Sequence, residues 1–175
     1  MRVENKDIVN GPIDTVYKIV RDDLSKLVEF MPNISKIECK ERSEDNGKIH
    51  ILNHWFAKGE VPAMAKKFIN PDILSWKDVA VWDEATKTVE YRLESFVANS
   101  IFSVRGKNTF KSAADPSKTE LLVVCDMEIY PDKVPGVPRL LAGTIKPVIE
   151  DFIGRLLKPN LTSLAQGLNR YLAKQ

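Results

Sequence analysis

The sequence predicts an α+β fold in which a curved, seven-stranded antiparallel sheet wraps around one long C-terminal helix. Three observations predict it. Six strand-like segments follow one another between Ile34 and Asp132, most of them joined by tight turns. Strands joined so closely must run antiparallel, because a parallel pair needs a crossover of about a dozen residues or more. A seventh strand stands at the N-terminus, followed by two short helical stretches, and the chain ends in a helical segment from about Leu140 to Leu172.

Taken in order, Arg2–Asn10 is strand-like, with Val3 and Val9 at even spacing. Gly11-Pro12 ends it, and Pro12 suits the first turn of a helix, where its missing N–H costs nothing. Ile13, Val16, Tyr17 and Val20 then fall at i, i+3, i+4 and i+7, which is one helical face. Leu24, Leu27, Val28 and Met31 make a second short helix, stopped by Pro32. Ser35–Glu44 and Lys48–Ala57 flank Asp45-Asn46-Gly47, and Asn-Gly is the strongest short hairpin signal. Lys58–Asp72 is irregular, broken by Gly59, Pro62 and Pro71. Ile73–Trp82 and Thr88–Val97 surround one turn, Ile101–Ser112 and Thr119–Tyr130 another at Asp115-Pro116-Ser117.

Alternation assigns the faces. Leu121, Val123, Cys125, Met127 and Ile129 form one apolar row, while the opposite row turns acidic at Asp126 and Glu128. Val89, Tyr91, Leu93 and Val97 oppose Glu90, Arg92 and Glu94. Phe102, Val104, Gly106, Asn108 and Phe110 oppose Arg105, Lys107 and Lys111. Such strands bury one side and wet the other. In the last helix, Ile145, Ile149, Phe152, Ile153 and Leu156 lie on one stripe, and Leu157, Leu161, Leu164, Leu168 and Tyr171 on another, rotated by about 100°. Pro159 stands at the changeover, and proline removes a helical hydrogen bond. A kink or break is therefore expected at Leu157–Asn160.

The 175 residues suit one domain, here residues 1–175, able to bury roughly 70% of its unfolded surface. A net charge of +2 gives no reason to expect nucleic acid as a partner. The charge is uneven: Lys133–Gln175 holds seven basic and two acidic residues, net +5, leaving −3 elsewhere. That segment is either a solvated basic helix face or one weakly drawn to anionic lipid. Cys39 and Cys125 belong to no CxxC or Cys/His cluster, so no metal and no cofactor are expected, only two reduced, partly buried thiols. No apolar run approaches the ~20 residues of a membrane span and no signal core opens the chain, so a cytoplasmic protein is expected.

The order strand, two short helices, six antiparallel strands and a long helix resembles the START-like superfamily, also called SRPBCC, of helix-grip proteins that includes the birch-pollen allergen. The resemblance covers nearly the whole chain. Asn10-Gly11-Pro12-Ile13-Asp14-Thr15-Val16-Tyr17 is similar to that family's entry into its first helix. Leu74-Ser75-Trp76 with Trp82-Asp83 is similar to its middle strands, and Leu157-Lys158-Pro159-Asn160-Leu161 to its last helix. The glycine-rich loop of the plant allergens is missing; the matching hairpin is only Asp45-Asn46-Gly47. The resemblance implies a cavity between sheet and last helix that takes a lipid or other apolar small molecule, a binding and possible transport role. Physics points the same way, since one helix cannot fill the whole concavity of a seven-stranded curved sheet.

The ligand-facing set is then Tyr91, Leu93, Phe102, Asn108, Phe110, Cys125, Met127, Phe152 and Leu156. Tyr91, Ser95 and Asn108 are the polar exceptions on inward faces; they either orient a ligand or bond to backbone or water. Lys133–Leu141, with Val134, Val137 and Leu140 between cations and prolines, is either a cavity gate that touches a membrane surface or a rigid connector. His50 and His54 share a strand face but stand about 13 Å apart, too far to hold one metal. No catalytic residue set has a defensible spacing. Two alternatives stay open. One is a cyclase- or aromatase-type enzyme of this fold, with Tyr91, His54 and Asn108 as its candidates. The other is a protein-interaction module, such as a chaperone regulator.

Overall fold

A computed structural model describes residues 2–60, 74–96, 102–130, 133 and 142–175 of the chain. Its elements are β1 (Arg2–Val9), α1 (Ile13–Asp22), a 3-10 helix (Leu24–Phe30), β2 (Ile34–Asp45), β3 (Lys48–Ala57), β4 (Ser75–Asp83), β5 (Thr88–Ser95), β6 (Phe102–Ser112), β7 (Thr119–Ile129), α2 (Ala142–Thr162) and α3 (Leu164–Leu172). The seven strands form one sheet in the order β1-β7-β6-β5-β4-β3-β2, antiparallel at every pairing. From β2 to β7 each strand pairs with the next in the chain, and β1 adds beside β7, so β1 and β2 are the two edges. The helices between them lie against the inner face.

Local chemistry explains the joints. In the β2–β3 hairpin Asn46 and Gly47 both have positive φ, 49° and 73°, the combination a two-residue turn needs to match strand twist. Gly11, between β1 and α1, lies where a Cβ would stand 3.0 Å from Leu172 and 3.1 Å from Val16 side-chain carbons, so glycine leaves these two side chains room to pack closely. Asn169 of α3 completes that seat: its amide donates to the Ile8 carbonyl (3.0 Å) and its oxygen accepts from the Asn10 N–H (2.7 Å). Thr119 of β7, fully buried, donates its hydroxyl to the Gly11 carbonyl at 2.7 Å.

Three expectations need correction. The second short helix is 3-10 rather than α, a form suited to one short connecting turn run. The helix runs through Pro159 and is interrupted at Ser163 instead. Pro159 cannot donate to the Arg155 carbonyl, and Asn33 Nδ2 takes up that acceptor at 3.1 Å, which offsets the lost bond. The Ser163 N–H still bonds the Pro159 carbonyl (2.9 Å), but Ser163 itself departs from helical torsions at φ −99°, ψ 1°. Cys39 is exposed, not partly buried, because β2 beyond Ile37 is an edge strand whose side chains meet solvent; Cys125 is fully buried. Among the described residues no helix is long and apolar enough to cross a membrane.

The core lies between the sheet's inner face and α1, the 3-10 helix and α3. Its closed end is aromatic. Tyr17 of α1, fully buried, packs edge-on against Trp82 (5.2 Å) and Phe110 (5.3 Å). Arg21 and Lys87 stand over its ring at 5.4 and 4.9 Å and are held by Asp22, Glu84 and Asp14. Burial, with Glu84 nearby, pushes the Tyr17 phenol up to about 12.

Candidate functional site

Strand pairing sets the inner face as rows of residues that stand side by side across the sheet. One row runs Trp55, Trp76, Ser95. The next runs Asn53, Asp78, Leu93, Val104, Met127. A third runs Ile51, Ala80, Tyr91, Gly106, Cys125, and a fourth Trp82, Val89, Asn108, Val123. Each row therefore brings at least one polar group or tryptophan onto an apolar floor.

Over the middle of this floor lies a cavity of about 90 Å3. Trp55, Trp76, Asp78, Ala80, Trp82, Tyr91, Leu93 and Asn108 line it from the sheet; Val20, Leu24, Met31 and Leu164 close it from the helices. Trp55 and Trp76 stack with ring centroids 6.0 Å apart. Trp55 Nε1 donates to Asp78 Oδ2 at 3.2 Å. Asp78 is only 8% exposed, and its Oδ1 has no partner. Burial pushes its carboxyl up to about 6, against the lowering effect of the Trp55 and Asn53 donors.

Two more buried groups share this want of partners. Asn108 Oδ1 has no hydrogen bond, and neither has Tyr91 Oη within normal geometry. The Tyr91 hydroxyl has the Cys125 thiol as a weak sulfur neighbour. Burial holds the Tyr91 phenol far above its usual range and pushes Cys125 up to about 11. The Tyr91 ring lies close against Gly106: a Cβ there would meet Tyr91 Cζ at 2.2 Å and Oη at 2.3 Å. Glycine at 106 thus leaves the room in which the phenol lies.

The expected ligand contacts divide accordingly. Tyr91, Leu93 and Asn108 line the cavity. Phe102, Phe110 and Cys125 are buried in the core but do not line it. Met127 lines a separate, open groove of about 930 Å3 between the end of β7 and α2, with Tyr130, Lys146, Arg155 and Lys158. The side chains of Phe152 and Leu156 on α2, and the gate residues Val134, Val137 and Leu140, lie outside the described residues, as does most of Lys58–Asp72. Lys133 is described, with its ammonium 4.2 Å from the Tyr130 ring.

Sequence reasoning missed Asp78 and the tryptophans around it. It also left the face of His50 and His54 open. Both point outward, opposite Ile51, Asn53 and Trp55; His50 is exposed and His54 packs edge-on against Phe96 at 4.6 Å. His54 therefore leaves the set of catalytic candidates, since the sheet separates it from Tyr91 and Asn108. Among the described residues no three His, Cys, Asp or Glu side chains gather as a metal site.

No known protein-family model matches the chain, and no curated protein matches its sequence. Solved structures do match. The Zhui aromatase/cyclase from Streptomyces sp. R1128 aligns over 98% of this chain and 95% of its own, with a TM-score of 0.63 and 18% identity. Norcoclaurine synthase from Thalictrum flavum aligns over 100% and 87%, with a TM-score of 0.58 and 12% identity. Ara h 8.0201 aligns over 100% and 99%, with a TM-score of 0.54 and 16% identity. These likenesses show the fold: the chain has the helix-grip architecture of the START-like, birch-pollen-allergen-like proteins.

Proposed function

We propose that this helix-grip domain binds a compact, mostly apolar small molecule on the inner face of its sheet, with polar groups met by Asp78, Tyr91 and Asn108. One observation carries the reading: three buried oxygens that find no oxygen or nitrogen partner among the described residues border one tryptophan-lined cavity. A buried polar group left unpaired costs roughly 1–3 kcal/mol, so three around one cavity make sense where a ligand supplies the missing bonds. An apolar pocket with a few convergent polar groups and a shifted pKa is the usual form of a small-molecule site. About 90 Å3 favours a compact group over a long acyl chain, so the lipid-transport version of this reading has the weaker support.

Native mass spectrometry of the chain purified from cells, beside an Ala80→Leu variant, tests the proposal. Ala80 lies on the cavity floor, and leucine there fills the space without adding charge. The wild type is expected to retain a small non-covalent ligand that the variant loses while staying folded. Ligand-free wild type that also takes up nothing from a library of small apolar compounds would refute the proposal.

A second reading, an enzyme of the cyclase type, is favoured by Asp78 specifically. A carboxyl pushed to about 6 is poised to exchange a proton near neutral pH. That reading expects Asp78→Asn to abolish turnover while leaving substrate binding within a few-fold; equal loss of both would leave binding alone.

A further inference from the structure

We infer that the cavity recognises a small cationic group, an amine or alkylammonium seated between the tryptophans and Asp78. The inference rests on the binding reading above and names the class of ligand. The cavity is lined by four aromatic side chains, Trp55, Trp76, Trp82 and Tyr91, and by one carboxyl, Asp78. Aromatic faces attract cations through their quadrupole, most strongly when both are desolvated, and rings of such residues recognise quaternary ammonium groups. Asp78 Oδ2 already accepts from Trp55, while Oδ1, buried, has no hydrogen-bond partner within normal geometry among the described residues and is free to face a positive charge.

Charge within the site agrees. No lysine or arginine shifts Asp78; only burial and the donors Trp55 and Asn53 do. The other titratable groups facing it are Tyr91 on β5 and Cys125 on β7, both neutral across the ordinary pH range because burial raises them. β6 contributes uncharged Asn108, and α1, the 3-10 helix and α3 contribute only Val20, Leu24, Met31 and Leu164. An ionised carboxylate in such surroundings wants a counter-ion, and among the described residues no lysine or arginine lines the cavity to supply one. Size fits as well, because about 90 Å3 is room for about three water volumes, enough for a head group of a few heavy atoms.

Two probes of similar size separate the ideas: tetramethylammonium and neutral tert-butanol, each titrated into the whole chain and followed by tryptophan fluorescence and calorimetry at pH 8 and pH 5. The expected result is at least tenfold tighter binding of tetramethylammonium at pH 8. That affinity should fall about tenfold at pH 5, as the ionised fraction of a carboxyl titrating near 6 falls. Tert-butanol should bind equally at both. Asp78→Asn, shown folded by its urea transition, should reduce the preference for the cation towards unity. Tert-butanol bound as well as tetramethylammonium, with no pH effect, would overturn the cationic assignment and keep the apolar site. Neither probe binding up to tens of millimolar would overturn both.

Discussion

The two halves of the sheet's inner face are built from the same kinds of residue to opposite ends. At the closed end Tyr17 meets Trp82 and Phe110 edge to face, those two rings lie tilted against each other, and two cations stand over the Tyr17 ring. Further along the same sheet, Trp55, Trp76 and Tyr91 border a gap and an unbalanced carboxyl. Trp82 belongs to both. The contrast separates what holds the chain folded from what awaits a partner: at the closed end the rings pack against one another, whereas at the open end the stacked Trp55 and Trp76 also border empty space. Substitutions at the closed end should lower stability, while removing the polar groups of the open end should raise it.

The largest expected effect is at the closed end. Tyr17→Ala empties a fully buried site and should destabilise by about 3–5 kcal/mol in urea unfolding. At the open end, Asp78→Asn should stabilise the chain at pH 8 by up to about 3 kcal/mol, from a carboxyl raised from 3.8 to about 6. The sign follows from linkage. The folded pKa lies above the unfolded one, so the penalty on ionised Asp78 is full above about 6 and disappears as pH falls towards 3.8. The difference between variant and wild type should therefore shrink to near zero by pH 4; a difference constant with pH would break the contrast.

How much of this the residues announced depends on the strand. β7 sets Leu121, Val123, Cys125, Met127 and Ile129 on one face against a row that turns acidic at Asp126 and Glu128, so its buried face was plain, and Asn46-Gly47 named its own turn. β4 did not alternate so clearly. Trp76, Ala80 and Trp82 share a face, but Val79 and Val81 stand on the other, and period-two reasoning cannot choose between them. Register with β5, where Ala80 meets Tyr91, settles it and carries Asp78 inward. The shared parity of Asp78 with two tryptophans was the signal that could have found the site. The interruption at Ser163 was hidden for another reason: the group that offsets Pro159 is Asn33, 122 residues earlier in the chain than the carbonyl it bonds.

Smaller effects sharpen the comparison. Gly106→Ala should cost about 1–3 kcal/mol, because its Cβ would overlap the Tyr91 ring. The double variant with Tyr91→Ala should cost less than the two singles added together, a coupling read by a double-mutant cycle. Additive costs would mean that the ring does not lie over Gly106. Thr119→Val removes one buried hydrogen bond to the Gly11 carbonyl and should cost about 1–2 kcal/mol, with no effect on ligand uptake.

The most direct test is a carbon-13 NMR titration of the Asp78 side-chain carboxyl in the free chain and in the chain saturated with tetramethylammonium. A midpoint near 6 in the free chain, moving to lower pH when the cation is bound, is the expected result. A midpoint near 4 that the cation leaves unmoved would mean that Asp78 faces water, and that the tryptophan-lined cavity is not a site of recognition.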